Sequence, residues 1–134
     1  MEIKVSTERG RVPITVLQVD GSIDSSNSEE FLSTAKKLID QGAHFILVDL
    51  ARTPFVTSSG LRALHAISNE LRARNPNANL TDEEMKKGIT AGTYKSPHLK
   101  LVNLSPQTKT TFETSGFDMY IDTFTDMQSA LASF

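Results

Sequence analysis

The segment that most restricts the fold of this chain is the apolar run AHFILVDL at residues 43–50. It has the length of a strand and no alternation with polar residues, which is typical of a central strand covered on both faces. A helical pattern follows after a short connection, because Leu61, Leu64, Ile67 and Leu71 recur every three or four residues. A strand, a short connection and a helix together indicate the beginning of a βαβ unit.

Two strand-like runs precede this unit. MEIKVSTE and VPITVLQVDG are rich in branched residues that favour a pleated surface, and the next stretch, SSNSEEFLSTAKKLIDQG, changes to helical spacing. Ser26 and Asn27 are capping-type residues before this helix, and Gly42 ends it. The amino-terminal part is therefore predicted to run ββαβα.

The carboxyl-terminal part repeats the alternation of strand and helix. HLKLVNL predicts a strand, and SPQTKTTFETSG predicts a helix with Ser105 as its cap, Pro106 at its first position and Gly116 as its stop. MYIDTF predicts a last short strand. Thr125 and Gln128 have the spacing of a capping box before a final helix.

Residues 75–97 separate the two parts and are rich in Asn, Gly, Thr and charge, which predicts a surface insertion. The order ββαβα, insertion, βαβα predicts an α/β fold. It has a mixed sheet of four to five strands, with about four α-helices packed mainly on one face. Because 134 residues contain no repeat or linker, we expect a single domain over residues 1–134.

Composition excludes several classes of function. The chain has no cysteine, which removes disulfides, thiolate catalysis and cysteine-ligated metals and suits a reducing compartment. A net charge of -2 with scattered basic residues disfavours nucleic acid as a partner. No apolar run approaches the ~20 residues of a membrane span, and the amino terminus lacks a signal-peptide core. We therefore expect a cytoplasmic protein.

The turn TSSG, within TPFVTSSGLRAL, is the most distinctive candidate site. Its ordinary interpretation is structural, because a hydroxyl before a helix accepts a bond from an unpaired N-H group and a glycine in the first turn permits close packing. The functional alternatives are a serine nucleophile and a phosphoacceptor. Ser58 and Ser59 would tolerate phosphate, because backbone N-H groups and the helix dipole favour negative charge there.

A nucleophile is disfavoured by what surrounds the turn. The G-x-S-x-G elbow is absent, since Val56 lies two residues before Ser58. His44, His65 and His98 are the three candidate bases, and each is more typical of a packing or surface residue than of a catalytic one.

A metal site is also disfavoured. Asp24 and Asp49 could be imagined as paired acids or magnesium ligands, but lone carboxylates of this kind are more often turn and strand-end residues. We predict neither a metal nor a cofactor.

Four segments, VDGSIDSSNSEEF, ILVDL, FVTSSGLRAL and LKLVNLSPQTKTTFETSGFD, together resemble the STAS domain family, and specifically the bacterial anti-sigma factor antagonists (anti-anti-sigma factors). They cover nearly the whole chain except the insertion. In such proteins the first serine of a D-S-S-G turn is phosphorylated by a partner that is both kinase and anti-sigma factor. By resemblance that serine is Ser58, with Ser59 and Gly60 completing the motif and Thr57 replacing the usual aspartate.

The resemblance also implies a partner-binding surface. Asp24 and Ser25, in the loop after the second strand, flank the turn formed by Thr57, Ser58, Ser59, Gly60 and Leu61. Thr57 and Ser59 are secondary candidates for phosphorylation.

The mechanism implied is a switch without catalysis. The unmodified protein binds an anti-sigma factor serine kinase and thereby frees a sigma factor, and the phosphorylated protein dissociates from the kinase. The alternative is a STAS module with a structural or ligand-binding role in a stress-signalling assembly or a membrane-transport complex.

Overall fold

The fold is built around one mixed β-sheet. The computed structural model describes residues 1–74, 96–119 and 121–134. The strands of the sheet are β1 (Glu2–Arg9), β2 (Pro13–Asp20), β3 (Ile46–Arg52), β4 (Leu99–Val102) and β5 (Thr123–Phe124). They lie in the order β1-β2-β3-β4-β5, with β1 antiparallel to β2 and the remaining neighbours parallel. The predicted mixed sheet is confirmed.

Four helices accompany the sheet in the described residues. They are α1 (Ser28–Asp40), α2 (Ser58–Arg74), α3 (Pro106–Ser115) and α4 (Met127–Ala132). α1, α2 and α3 each follow one parallel strand and precede the next, and their buried residues pack on the sheet, as expected for βαβ units. None of these helices combines the length and apolar character that crossing a membrane requires.

The two faces of the sheet are covered unequally. Ile46, Val48 and Leu50 of β3 point into the large core, which also holds the buried faces of α1, α2 and α3. Leu47 points the other way, into a smaller cluster closed by α4 through Ala130. β3 is thus covered on both faces, as predicted, and the helices lie mainly on one side.

The sequence predicted the N-cap residues of the two helices near the carboxyl end, and the prediction is confirmed for one helix and wrong for the other. The Oγ atom of Ser105 accepts a bond from Thr108 N at the start of α3, and Gly116 ends the helix with a left-handed φ of 82°. α4 is capped by Asp126, whose side chain accepts from Ser129 N, and not by Thr125. The prediction for Thr125 was wrong because the cap lies one residue later.

Two further predictions need correction. Neither Ser26 nor Asn27 caps α1, since the N-cap residue Asn27 makes no side-chain cap bond. The predicted strand MYIDTF pairs only over Thr123–Phe124, because the chain is still turning at its start: Met119 ends a 3-10 turn and Ile121 N donates to Phe117 O. The predicted insertion at residues 75–97 lies outside the described residues, apart from its last two positions.

Candidate functional site

Three loops meet where the parallel strands β2, β3 and β4 end at their carboxyl termini. They are residues 21–27 before α1, residues 53–57 before α2 and residues 103–105 before α3. The carboxyl edge of a parallel sheet is where open α/β folds collect their functional groups. The TSSG turn lies at this edge.

Backbone hydrogen bonds join the first two loops. Ile23 N donates to Phe55 O over 3.0 Å, and Thr57 N donates to Ile23 O over 2.9 Å. Ile23 and Val56 consequently form an isolated parallel bridge beyond the ends of the strands. The loop that carries Asp24 is thereby held beside the TSSG turn.

The third loop is fastened to the same turn by a side chain. Ser105, the cap of α3, also donates from its Oγ atom to Pro54 O over 2.9 Å. On the other side, the buried Thr53 hydroxyl donates to Val19 O over 2.8 Å. Residues 53–57 are therefore fixed from β2, from the first loop and from α3.

Gly60 has a packing role that the sequence predicted. A Cβ atom at this position would lie 2.7 Å from Val56 Cγ1 and 3.0 Å from both Cγ2 and the carbonyl oxygen of Ile23. Only a residue without a side chain lets the first turn of α2 approach the Ile23–Val56 bridge so closely. Leu61 is likewise buried, 5% exposed, in the large core. Gly60 and Leu61 thus support the surface from beneath.

The three hydroxyls of the turn differ in availability. Ser58 is the first residue of α2 and its side chain is exposed, whereas Thr57 and Ser59 are half-buried. The Thr57 Oγ1 atom donates to Ile23 O over 3.3 Å, so this hydroxyl faces the neighbouring loop. Ser58 is the most accessible of the three.

Asp24 organises the tip of the first loop. Its Oδ1 atom accepts bonds from both the N-H group, over 2.9 Å, and the hydroxyl of Ser26. The Ser26 hydroxyl is the main reason that the pKa of Asp24 lies below its ordinary value, and the Ser26 N-H group adds to the effect. Ser25 between them is exposed.

Asn27 holds the base of the same loop. Its Nδ2 atom donates to Ser22 O over 2.9 Å, and its Oδ1 atom accepts from Asp24 N over 2.9 Å. These two bonds explain why its amide does not cap α1. They fix the loop in the conformation that presents Asp24 and Ser25.

The histidines lie away from the serine turn. His98 O accepts from Ile46 N at the start of β3, and His98 Nδ1 lies 3.0 Å from His44 O, so both residues are at the opposite edge of the sheet. Burial lowers the pKa of His98. His65 is seven residues beyond Ser58, about 10 Å along α2. Among the described residues, therefore, no histidine lies beside Ser58.

The two carboxylates considered as a metal pair are separate. Asp49 Oδ1 accepts from Asn103 Nδ2 over 3.2 Å and from Ala51 N over 3.0 Å. Its side chain lies on the face of the sheet that carries α4, beside Met127, whereas Asp24 precedes α1 on the other face. In the part of the chain that the structure describes, no three potential ligands cluster together.

Two neighbours of Ser58 were missed by the sequence analysis. Phe55 is 45% exposed and lies beside Pro106 and Gln107 of α3. Arg62 lies one helical turn after Ser58, and its Nε atom is 3.5 Å from Ser58 O. The only sequence signal for Arg62 was its i,i+4 spacing from Ser58.

The chain is similar to proteins of one family. The family model described as "STAS domain" matches residues 5–80. BtrV of Bordetella bronchiseptica (strain ATCC BAA-588 / NCTC 13252 / RB50), whose name assigns it to the anti-sigma factor antagonists, is 23% identical over 116 residues. The matched region is 87% of this chain and 82% of BtrV.

Solved structures show the same fold. The crystal structure of an anti-sigma factor antagonist from Mycobacterium paratuberculosis has a TM-score of 0.66 at 17% identity, covering 98% of this chain and 93% of that one. The Bacillus cell fate determinant SpoIIAA in its phosphorylated form has a TM-score of 0.57 at 22% identity, covering 95% and 96%. At these identities the similarity shows a shared fold, which positions the three loops.

Proposed function

The chain belongs to the STAS domain family, and from this premise we propose that it is an anti-sigma factor antagonist switched off by phosphorylation of Ser58. In its unmodified form it binds an anti-sigma factor that is also a serine kinase, and this binding frees a sigma factor. The protein acts by binding and not by catalysis.

The observation that carries this proposal is the position of Ser58. Its hydroxyl is exposed at the first residue of a 17-residue helix, on a turn held by bonds to two neighbouring loops. A kinase can therefore reach the hydroxyl without unfolding the turn. A phosphate at this end of a helix is favoured by about 0.3 to 2 kcal/mol, so the fold tolerates the modification.

The same charge opposes binding. Phosphorylation adds about -1.5 to -2 charge, and burial of an unpaired charge in an interface costs several kcal/mol. A net loss of about 4 kcal/mol would weaken binding on the order of a thousandfold. A local change of charge is therefore sufficient for a switch, with no change of fold.

Thr57 and Ser59 remain secondary phosphoacceptors in this proposal. Modification of Thr57 would break its bond to Ile23 O, which lies within the contact between the two loops. Ser59 is half-buried in the groove between α1 and α2. Exposure and freedom from such contacts therefore favour Ser58.

The proposed contact surface extends from Ser58 across the joined loops. Asp24 and Ser25 lie next to the turn, because the Ile23 backbone connects the two segments. Phe55 adds an exposed aromatic ring on the other side, and aromatic residues are enriched among those that contribute most to protein interfaces.

Affinity capture from extract of the native cell tests the proposal. Unmodified protein should retain an ATP-dependent kinase, and incubation with ATP should give a phosphopeptide carrying Ser58. Ser58→Ala should still bind but should not be modified there. Failure to retain a kinase, with Ser58 unmodified, would contradict the proposal, and recovery of transporter subunits or a large assembly would favour the structural module.

A further inference from the structure

Arg62 is placed to act on a phosphate at Ser58. The two residues are four apart on α2, so their side chains share one face of the helix. Helical side chains point back toward the amino terminus, so a residue covers the turn before its own Cα atom. Arg62 follows this rule, with its Nε atom 3.5 Å from Ser58 O.

The guanidinium has no competing ion pair in the described part of the chain. The first turn of α2 also contains no acidic residue. Arg62 lines a shallow groove between α1 and α2 together with Ser28, Glu29, Leu32, Ser59 and Ala63. Glu29 is the acidic residue of this groove, and it belongs to the other helix.

We infer that Arg62 binds the phosphate of phosphorylated Ser58 and holds it over the groove between α1 and α2. The guanidinium fork matches two phosphate oxygens, which lysine cannot do. The order of charges along the helix, anion first and cation four residues later, is the favourable one. Arg62 is a positioning residue in this role, since it fixes where the added charge lies.

The inference rests on the proposed modification of Ser58, but its test needs no kinase. Phosphoserine is incorporated at position 58 during translation, and the second ionisation of the phosphate is followed by phosphorus NMR at physiological salt. A neighbouring cation stabilises the dianion, so Arg62→Gln should raise this pKa by about 0.2 to 0.4 unit. Arg62→Lys should give an intermediate value, because its charge remains but its fork is lost.

Arg74→Gln is the matched control. It removes a positive charge from the same helix, but this charge is paired with Asp40 and lies about 24 Å from Ser58, well beyond the Debye length of ~8 Å at physiological salt. Glu29→Gln should shift the pKa in the opposite direction, because it removes a carboxylate from the groove. Equal pKa values for Arg62→Gln and Arg74→Gln would overturn the inference.

A second measurement guards against loss of fold in the variants. In the otherwise unchanged protein, the Arg62 Nε-H signal should move on modification of Ser58, whereas the Arg74 signal should not. An unmoved Arg62 signal would also overturn the inference. Either failure leaves the proposed function open, since that depends on whether a kinase modifies Ser58 and whether binding is then lost.

Discussion

Ile23 and Val56 form a parallel bridge that lies outside the regular strands and joins the two loops on either side of the candidate site. The bridge brings the residues around Asp24 next to the turn that contains Ser58, although 34 positions separate them. Gly60 packs directly against both members of the bridge. The surface proposed for the partner therefore depends on a contact that is buried beneath it.

Gly60→Ala should destabilise the protein. The new methyl group would lie 2.7 Å from Val56 Cγ1, and overpacking of this kind costs about 1 to 3 kcal/mol, more than the ~1 kcal/mol that alanine adds in helix propensity. Urea unfolding should show a lower free energy of unfolding. Ser59→Ala, the neighbouring control, should change it by less than about 0.5 kcal/mol. A Gly60→Ala variant more stable than wild type would contradict the close contact, because alanine would then add its helix propensity without a packing cost.

Ser105→Ala should loosen the third loop. It removes the cap bond to Thr108 N and the bond to Pro54 O, together worth about 1 to 2 kcal/mol of stability. Hydrogen exchange should accelerate at the Thr108 amide. Thr110→Ala is the control, because its hydroxyl donates only to Pro106 O within the same helix. Unchanged exchange at Thr108 would contradict the assignment of the cap.

Ser26→Ala should raise the pKa of Asp24 toward its ordinary value, because the Ser26 hydroxyl is the main cause of the lowering. A carboxylate with a lowered pKa stabilises the fold above its ordinary pKa of about 3.9, and this contribution is lost as the pH falls through the folded value. The stability difference between Ser26→Ala and wild type should therefore be present near neutral pH and fade in acid.

Carboxyl NMR titration checks this prediction directly. Asp126 is the internal control, because a bond from Ser129 N lowers its pKa at the other end of the chain. Its titration should be the same in both proteins. An unchanged pKa of Asp24 in Ser26→Ala would show that the hydroxyl bond is not the cause.

Ser58→Asp should fold normally and gain up to about 1 kcal/mol, since a negative charge in the first turn of α2 interacts favourably with the helix dipole. Thermal unfolding measures the effect. Asn69→Asp, at an exposed position about three turns further along the same helix, should show no comparable gain. A Ser58→Asp variant that is clearly less stable than wild type would mean that this turn does not tolerate charge.

The sequence correctly predicted the features that depend on residues close together in the chain, such as strand burial and helix ends. The apolar run around Leu47 and Val48 predicted a strand buried on both faces, and both faces are covered. Ser105 and Gly116 predicted the ends of α3, because capping depends on residues within a few positions of each other. The glycine in the TSSG turn was correctly linked to close packing.

The wrong cap of α1 and the missed contact between the two loops have a common physical cause. Asn27 is a good capping residue, but its amide bonds to Ser22 and Asp24 in the preceding loop, so tertiary structure overrides local preference. The Ile23–Val56 bridge joins distant segments and leaves no periodic pattern in the sequence. The adjacency of the two loops was implied by the family resemblance and by no spacing within the chain.

The most direct test of the central claim is the affinity of the anti-sigma factor kinase, once captured, for two forms of this protein. Calorimetry would compare the unmodified chain with the chain carrying phosphoserine at position 58, and Ser58→Ala would serve as the unmodifiable control. We predict that phosphoserine weakens binding on the order of a thousandfold while Ser58→Ala binds like wild type. Equal affinity of the two forms would contradict the switch.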